Sequence, residues 1–300
     1  MKHRTLWLQI PGWILGSIIG CSIVFAGYVY LVSQRFIHRT YAAPLVDVAV
    51  PTDAASITEG ARLAQIRGCN GGCHGKEVEG GPWDDGFWQG RAFAPDLAAA
   101  ARTYSVPELV RVIREGVRAN GEAVQIMPSP MFFHLSDADL GKIIAFLRSS
   151  PIKGGNYAFS PGPMWRWQMV TGEWTAWPDE IRTLGTRMTP PSPEDPVRFG
   201  EYLARTSCTE CHGNELHGGP ATPDLLIAAA YSPEDFRKLM RTGVPLGNRE
   251  LRLMSGAARS RFAHFTDAEI DSLHAYLRQR AGLPATSPIP AGVPAVSTAF

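Results

Sequence analysis

Apolar residues in this chain form one long run without a charged residue, followed by short stretches with helical periodicity. The run, Leu6–Val32, is 27 residues long, which is enough for a helix that crosses a lipid bilayer. The later stretches follow capping sequences, as in residues 136–147, where Leu140, Ile144 and Leu147 share one helix face. No two stretches form a convincing strand pair. The pattern predicts an all-α fold, with an N-terminal transmembrane helix followed by domains of short helices.

The N-terminal run permits three interpretations. A cleaved signal peptide has an apolar core of only about 7–15 residues. If the run were a lipoprotein signal, the mature protein would begin at Cys21 and continue with polar residues, but the chain instead stays apolar there. An uncleaved anchor fits best, and we predict that residues 1–40 form a cytoplasmic N-terminus and a transmembrane anchor. Basic residues flank both ends of the run, so that charge alone does not set its orientation.

The remainder of the chain contains an internal repeat. The sequence HGKEVEGGP at 74–82 returns as HGNELHGGP at 212–220, and Pro-Asp-Leu at 95–97 returns at 223–225. The offset between the copies changes because the first copy carries extra residues around 83–93. The repeat predicts two copies of one helical domain.

The repeat also divides the chain into segments. Between the two copies lies a segment rich in proline and tryptophan, which either packs over the domains or docks a partner protein. The proline- and alanine-rich C-terminus is predicted to be disordered. The predicted segments after the anchor are domain 1 at 53–150, the linker at 151–192, domain 2 at 193–282 and the tail at 283–300.

Four of the five cysteines form two close pairs, each followed at once by a histidine. Residues 208–212 spell C-x-x-C-H, whereas residues 69–74 have three residues between the cysteines, two of them glycine. In C-x-x-C-H, the thiols add to the two vinyl groups of a haem, and the histidine ligates the iron. This pattern resembles class I cytochromes c, and the resemblance covers both copies of the repeat.

The resemblance implies two covalently bound haem c groups. Each histidine would be one axial ligand, and a methionine in the loop before the last helix would be the other. Met131, Met240, His134 and His264 remain competing sixth ligands. By resemblance, the carbonyl of Pro82 or Pro220 would accept the N–H of the ligating histidine. The implied haem-binding residues are Cys69, Cys73, Cys208 and Cys211, and the implied iron ligands are His74, Met127, His212 and Met254.

Zinc binding and a structural disulfide are weaker interpretations of the same cysteines. Two thiolates and an adjacent histidine make poor tetrahedral geometry for zinc. A structural disulfide would have to form across a spacer of only two or three residues in both copies, which disfavours it.

The resemblance predicts an electron carrier rather than an enzyme. We expect it to pass single electrons between a membrane or periplasmic dehydrogenase and a respiratory acceptor, such as an oxidase or another cytochrome. The expected location is a bacterial inner membrane, with the haem domains in the periplasm. A dihaem peroxidase, in which one iron has an open sixth position, remains the alternative. The net charge of +1 gives no support for nucleic-acid binding.

Overall fold

The computed structural model describes residues 12–285. The predicted cytoplasmic N-terminus before residue 12, and the predicted disorder of the tail after residue 285, lie outside the described residues. The first helix, α1, spans Gly12–Ile37. Within the described part of the chain, its segment Trp13–Ile37 is the one helix long and apolar enough to cross a membrane.

Domain 1 is built around two helices that cross at close range. Gly60 of α2 lies against the backbone carbonyl of Lys142 in α6, where a side chain has no room. This approach lets Leu63, Leu140 and Ile144 form a shared core between the two helices. The helices of domain 1 are α2 (Ala54–Ile66), α3 (Leu97–Thr103), α4 (Val106–Glu115), α5 (Ser129–Phe132) and α6 (Asp137–Ser149).

A small antiparallel sheet corrects the prediction that the chain forms no strand pair. The strands are β1 (Gly81–Gly86), β2 (Gly90–Ala94) and β3 (Ala158–Pro161), paired in the order β1-β2-β3. The extra residues of the first copy form the β1–β2 hairpin, and the linker supplies β3. The sequence does not reveal this sheet for two reasons. An irregular register between Pro82 and Asp84 interrupts the alternation of apolar and polar residues along β1, and β3 is distant in sequence. The predicted all-α class is otherwise confirmed.

The linker packs mainly on domain 1. Its helices are α7 (Pro163–Thr171) and α8 (Trp177–Ile181). Trp165 is buried among aromatic rings, stacked on Phe159 at 5.8 Å and tilted against Trp83 at 6.0 Å. These contacts agree with the interpretation of the linker as a packed segment.

Domain 2 repeats the helix crossing of domain 1. Gly200 of α9 meets the carbonyl of Ser272 in α13, just as Gly60 meets Lys142. Two short 3₁₀ helices, Leu225–Ala230 and Phe262–His264, complete the domain. The α-helices of domain 2 are α9 (Pro196–Ser207), α10 (Thr209–His212), α11 (Pro233–Thr242), α12 (Leu253–Ser260) and α13 (Asp267–Arg280).

Candidate metal centres

The cysteine pair of domain 1 lies in a glycine loop after the end of α2. The backbone N–H of Cys69 still bonds the Ala64 carbonyl at 2.9 Å, so the first cysteine is fixed to the helix. The loop then closes on itself, with Gly71 N donating to Gly75 O at 2.7 Å. A Cβ at Gly72 would collide with the Gly68 carbonyl. Glycine therefore lets three residues occupy the space between the two cysteines.

The cysteine pair of domain 2 lies on a helical turn instead. Cys208 caps the end of α9, and its carbonyl accepts hydrogen bonds from Cys211 N at 3.3 Å and His212 N at 3.0 Å. In both domains the first cysteine is partly buried, the second is exposed, and neither forms a disulfide. The two motifs thus present equivalent thiols from different backbone conformations.

Both motif histidines make the same hydrogen bond to a proline carbonyl. His74 Nδ1 lies 2.9 Å from the Pro95 carbonyl oxygen, and His212 Nδ1 lies 2.9 Å from that of Pro223. A carbonyl only accepts, so Nδ1 carries the proton and Nε2 keeps a lone pair. Burial also lowers the pKa of His74, which favours the neutral ring that a metal requires.

The predicted acceptors Pro82 and Pro220 are therefore wrong. Pro82 lies in β1, paired with Phe93, and the prolines of the repeated Pro-Asp-Leu sequence accept these bonds instead. The repeat of that tripeptide was the available signal. Its role was hidden because the acceptor lies 21 residues after one histidine but only 11 after the other.

The rest of the Pro-Asp-Leu sequence holds the proline carbonyl in place. Asp96 is buried and caps α3 by accepting from Ala99 N at 2.9 Å, and it also accepts from Gly154 N of the linker. Leu97 N donates to the carbonyl of Val78 at 2.9 Å. Val78 has a φ of 58°, a strained conformation for a β-branched residue. The chain around the histidine is thus fixed from both sides.

Domain 2 repeats these contacts. Asp224 caps the 3₁₀ helix through Leu226 N at 2.8 Å, and Leu225 N donates to Leu216 O at 3.0 Å. Leu216 has a φ of 61°, matching Val78. Recurrence of the same unusual backbone in both domains indicates that the two histidines are held by one common arrangement.

The first cysteine of each motif carries a protonated thiol in the metal-free chain. Burial raises the pKa of Cys69 to about 11 and that of Cys208 to about 12, so both are neutral thiols at neutral pH. Zinc binds thiolates. Moreover, residues 12–285 contain no cluster of three or more His, Cys, Asp or Glu side chains that could hold a metal ion. The described His, Cys, Asp and Glu side chains therefore form no ligand set around His74 or His212, whereas a haem would bring the porphyrin nitrogens as further ligands for its iron.

The two predicted methionine ligands are both half-buried but lie in different local structures. Met127 is in the loop before α5, as predicted, whereas Met254 is the second residue of α12, so the predicted loop position is wrong for Met254. Met127 is two residues before Ser129, which is fully buried and donates to the Val112 carbonyl in α4 at 3.3 Å. Met254 is one residue before Ser255, equally buried, which donates to the Gly243 carbonyl at 2.6 Å. Each serine fixes its methionine segment to the end of the preceding helix. Iron ligation by the two methionines stays a prediction.

The competing ligands lie in less similar places. Met131 and Met240 are buried in the protein interior at 1% and 2% exposure. His134 is buried, and its Nδ1 accepts from the linker amide of Met188 at 3.2 Å, whereas His264 is exposed. His134 and His264 therefore differ in burial, whereas Met127 and Met254 are both half-buried.

One arginine joins the two cysteine motifs. Arg261 Nη1 forms an ion pair with Glu210 Oε2 at 2.7 Å, inside the second motif. Its Nε donates to the Ile66 carbonyl at 3.0 Å, and its guanidinium packs against Gly68, directly before Cys69. The motifs of both domains therefore lie on either side of a single side chain. Sequence reasoning missed Arg261, because its position is set only by the contact between the domains.

The interface around Arg261 is nearly symmetric. Arg62 of α2 forms an ion pair with Glu269 in the first turn of α13 at 2.7 Å. In the mirrored position of α9, Tyr202 donates to Asp139 in the first turn of α6 at 2.5 Å. Each domain thus contacts the start of the other domain's last helix, which fixes the two cysteine and histidine motifs relative to one another.

Comparison with known proteins agrees with this geometry. The profile of the family described as Cytochrome c matches residues 57–151 and 197–281, together more than half of the chain. Among curated proteins, no match to the chain is found.

Proposed function

The chain belongs to the cytochrome c family, and from this we propose that it carries two covalently bound haem c groups and passes electrons one at a time between redox partner proteins. The observation that carries the proposal is the duplicated arrangement of a cysteine pair, an adjacent histidine and a proline carbonyl. When bound, haem c supplies one-electron exchange between ferric and ferrous iron.

The residues around each site suit that role. The proline carbonyl orients the imidazole and makes Nε2 a better ligand. A methionine as the second protein ligand would leave the iron no open position for substrates and would raise its reduction potential. We therefore assign His74 and Met127 to one iron and His212 and Met254 to the other, with the four motif cysteines as thioether attachments.

The close contact between the motifs supports a relay. Arg261 touches residues next to Cys69 and within the second motif, so haems attached to the two motifs would both be bound close to this side chain. An electron entering at one domain then has a short route to the other. The donor in this proposal is a membrane or periplasmic dehydrogenase, and the acceptor is a respiratory oxidase or another cytochrome.

Contacts of α1 support an uncleaved anchor. Ser33 is fully buried and accepts from Arg166 Nη1 of the linker at 2.8 Å, and Arg166 also lies over the Tyr30 ring at 4.6 Å. Removal of α1 as a signal peptide would expose these linker residues. The proposed location is a bacterial inner membrane, crossed once by α1, with both haem domains in the periplasm.

Optical spectroscopy of the intact protein tests the assignment as a carrier. Both haems should be reduced reversibly in one-electron steps and should show the spectrum of methionine-ligated low-spin iron. Neither reduced haem should bind carbon monoxide, because no axial position is open. Carbon monoxide binding to one haem, together with peroxide turnover, would instead indicate a dihaem peroxidase.

A further inference from the structure

An exposed apolar surface extends from the hairpin of domain 1 to the linker. We call it the aromatic rim and define it as Trp83, Phe87, Trp88, Met164 and Trp167. Phe87 and Trp88 are 78% and 64% exposed at the hairpin tip, and Trp167 is 46% exposed on α7. Large aromatic side chains in such a position usually mark a contact surface.

Backbone hydrogen bonds make the rim a single rigid surface. Met164 N donates to the Trp88 carbonyl at 2.9 Å, and Gly162 N donates to the Gln89 carbonyl at 2.7 Å. The hairpin tip is therefore fixed to the start of α7. Met164 and Trp167 are three residues apart on α7, so they lie on one face of that helix.

The rim is continuous with the membrane helix. The Trp167 ring lies 5.9 Å from that of Phe25 in α1. The neighbouring Arg166 holds Ser33 and Tyr30 of the same helix. The orientation of the rim relative to α1 is therefore fixed by the contacts of Trp167 and Arg166.

The charged and aromatic residues near the end of α1 place this junction close to the membrane surface. The cation Arg166 lies over the Tyr30 ring, and Arg35 follows the apolar run. Charged side chains are costly within the hydrocarbon core, so this level of α1 belongs to the headgroup layer. Tyr28 and Tyr30 fit that layer, where tryptophan and tyrosine are enriched, and Phe25 lies about one helical turn below it.

The hairpin tip carries few charges. Asp85 and Arg91 form an ion pair at 2.8 Å between the two strands behind Phe87 and Trp88, whereas Asp84 has no ion-pair partner among the described residues. The tip thus combines an aromatic end with a base that carries one uncompensated negative charge. This composition suits insertion among lipid headgroups, and it does not require anionic lipid.

We propose that the aromatic rim inserts into the interfacial layer of the bilayer and holds domain 1 against the membrane. This inference rests on the proposed role of α1 as an uncleaved anchor. A second contact of this kind would restrict the rotation of domain 1 about the anchor. Domain 2, which lacks the hairpin, would then face the aqueous compartment.

Spin-label accessibility in the intact holoprotein tests the proposal. Cysteine is introduced as Phe87→Cys in a Cys21→Ala background, labelled with a nitroxide, and the protein is reconstituted in phosphatidylcholine vesicles. Matched controls are Leu246→Cys, exposed in domain 2, and Val24→Cys, exposed on α1. The ratio of collisions with oxygen to collisions with a water-soluble nickel chelate is measured at each site, and haem content verifies folding. Trp88→Cys replaces Phe87→Cys if the latter loses haem.

We expect the ratio at position 87 to exceed that at position 246 several-fold and to approach that at position 24. Equal ratios at 87 and 246, in protein that floats with the vesicles, would overturn the rim contact while leaving the anchor intact. Protein that does not float would contradict the anchor itself. Another outcome is a label that is accessible to the nickel chelate in pure lipid vesicles and inaccessible to it in native membranes. That result would show that a protein covers the rim, and it would also overturn the proposal.

Discussion

The two domains share the arrangement around the histidine but differ in how the cysteines are presented. In domain 1 the pair lies in a closed glycine loop, and in domain 2 it lies on a helical turn. Domain 1 also carries the hairpin and the linker contacts that join it to α1. The difference indicates that the histidine environment is the constrained part of the fold, whereas the attachment spacer and the outer surface tolerate change.

Replacement of the predicted methionine ligands should give the largest effects. Met127→Leu should open the iron of domain 1 alone, lower its reduction potential and allow carbon monoxide to bind, because leucine offers no sulfur. Met254→Leu should do the same in domain 2. Redox titration followed optically measures both changes.

Met131→Leu and Met240→Leu are the matched controls for these variants, and both should leave the spectra unchanged. If Met131→Leu opened an iron and Met127→Leu did not, the assignment of Met127 as the iron ligand of domain 1 would be wrong.

The glycine loop gives the next largest effect. Gly72→Ala should reduce haem attachment in domain 1, because the added methyl group meets the Gly68 carbonyl and shifts Cys73. Gly256→Ala is the control, since a Cβ there meets nothing within 4 Å. Haem per polypeptide, measured in denatured protein, should fall below two in the first variant only. Full attachment in Gly72→Ala would refute this account of the three-residue spacer.

The domain interface predicts a moderate loss of stability. Tyr202→Phe removes the hydrogen bond to Asp139 and leaves the partly buried N–H of Ser136 without the tyrosine oxygen. The expected cost is about 1–3 kcal/mol in the free energy of unfolding. Tyr276→Phe is the control in the same domain. Chemical denaturation followed by circular dichroism measures the difference, and equal stability of the two variants would argue against a tight interface.

The smallest predicted effect concerns the charge between the motifs. Arg261→Gln should lower the reduction potentials of both haems, because a positive charge nearby favours ferrous iron. The expected change is on the order of 1 kcal/mol or less, since Glu210 partly neutralises the guanidinium. Glu210→Gln should shift both potentials in the opposite direction. A shift confined to one haem would show that Arg261 does not lie between the two sites.

The sequence predicted the parts of the molecule that depend on neighbouring residues or on repetition. The C-x-x-C-H chemistry depends on adjacent residues, and the duplicated domain is visible as a sequence repeat. The family and the helical fold could therefore both be predicted from the sequence. The identity of the proline acceptor could not be predicted, because loops of different length separate Pro95 and Pro223 from their histidines.

Two other features depend on contacts that sequence spacing does not encode. The third strand comes from the linker, far from the hairpin that it joins. Arg261 meets Ile66 and Glu210 only because the domains pack together. Features set by tertiary contact therefore required the structure, whereas those set by local chemistry did not.

Mass spectrometry of the mature, denatured polypeptide tests the central claim most directly. We predict a mass equal to that of the uncleaved chain, after any removal of the initiator methionine, plus two haems, with one haem on a peptide containing Cys69 and Cys73 and the other on a peptide containing Cys208 and Cys211. A polypeptide without covalent haem would contradict the account, and a single haem would eliminate the relay between the two domains.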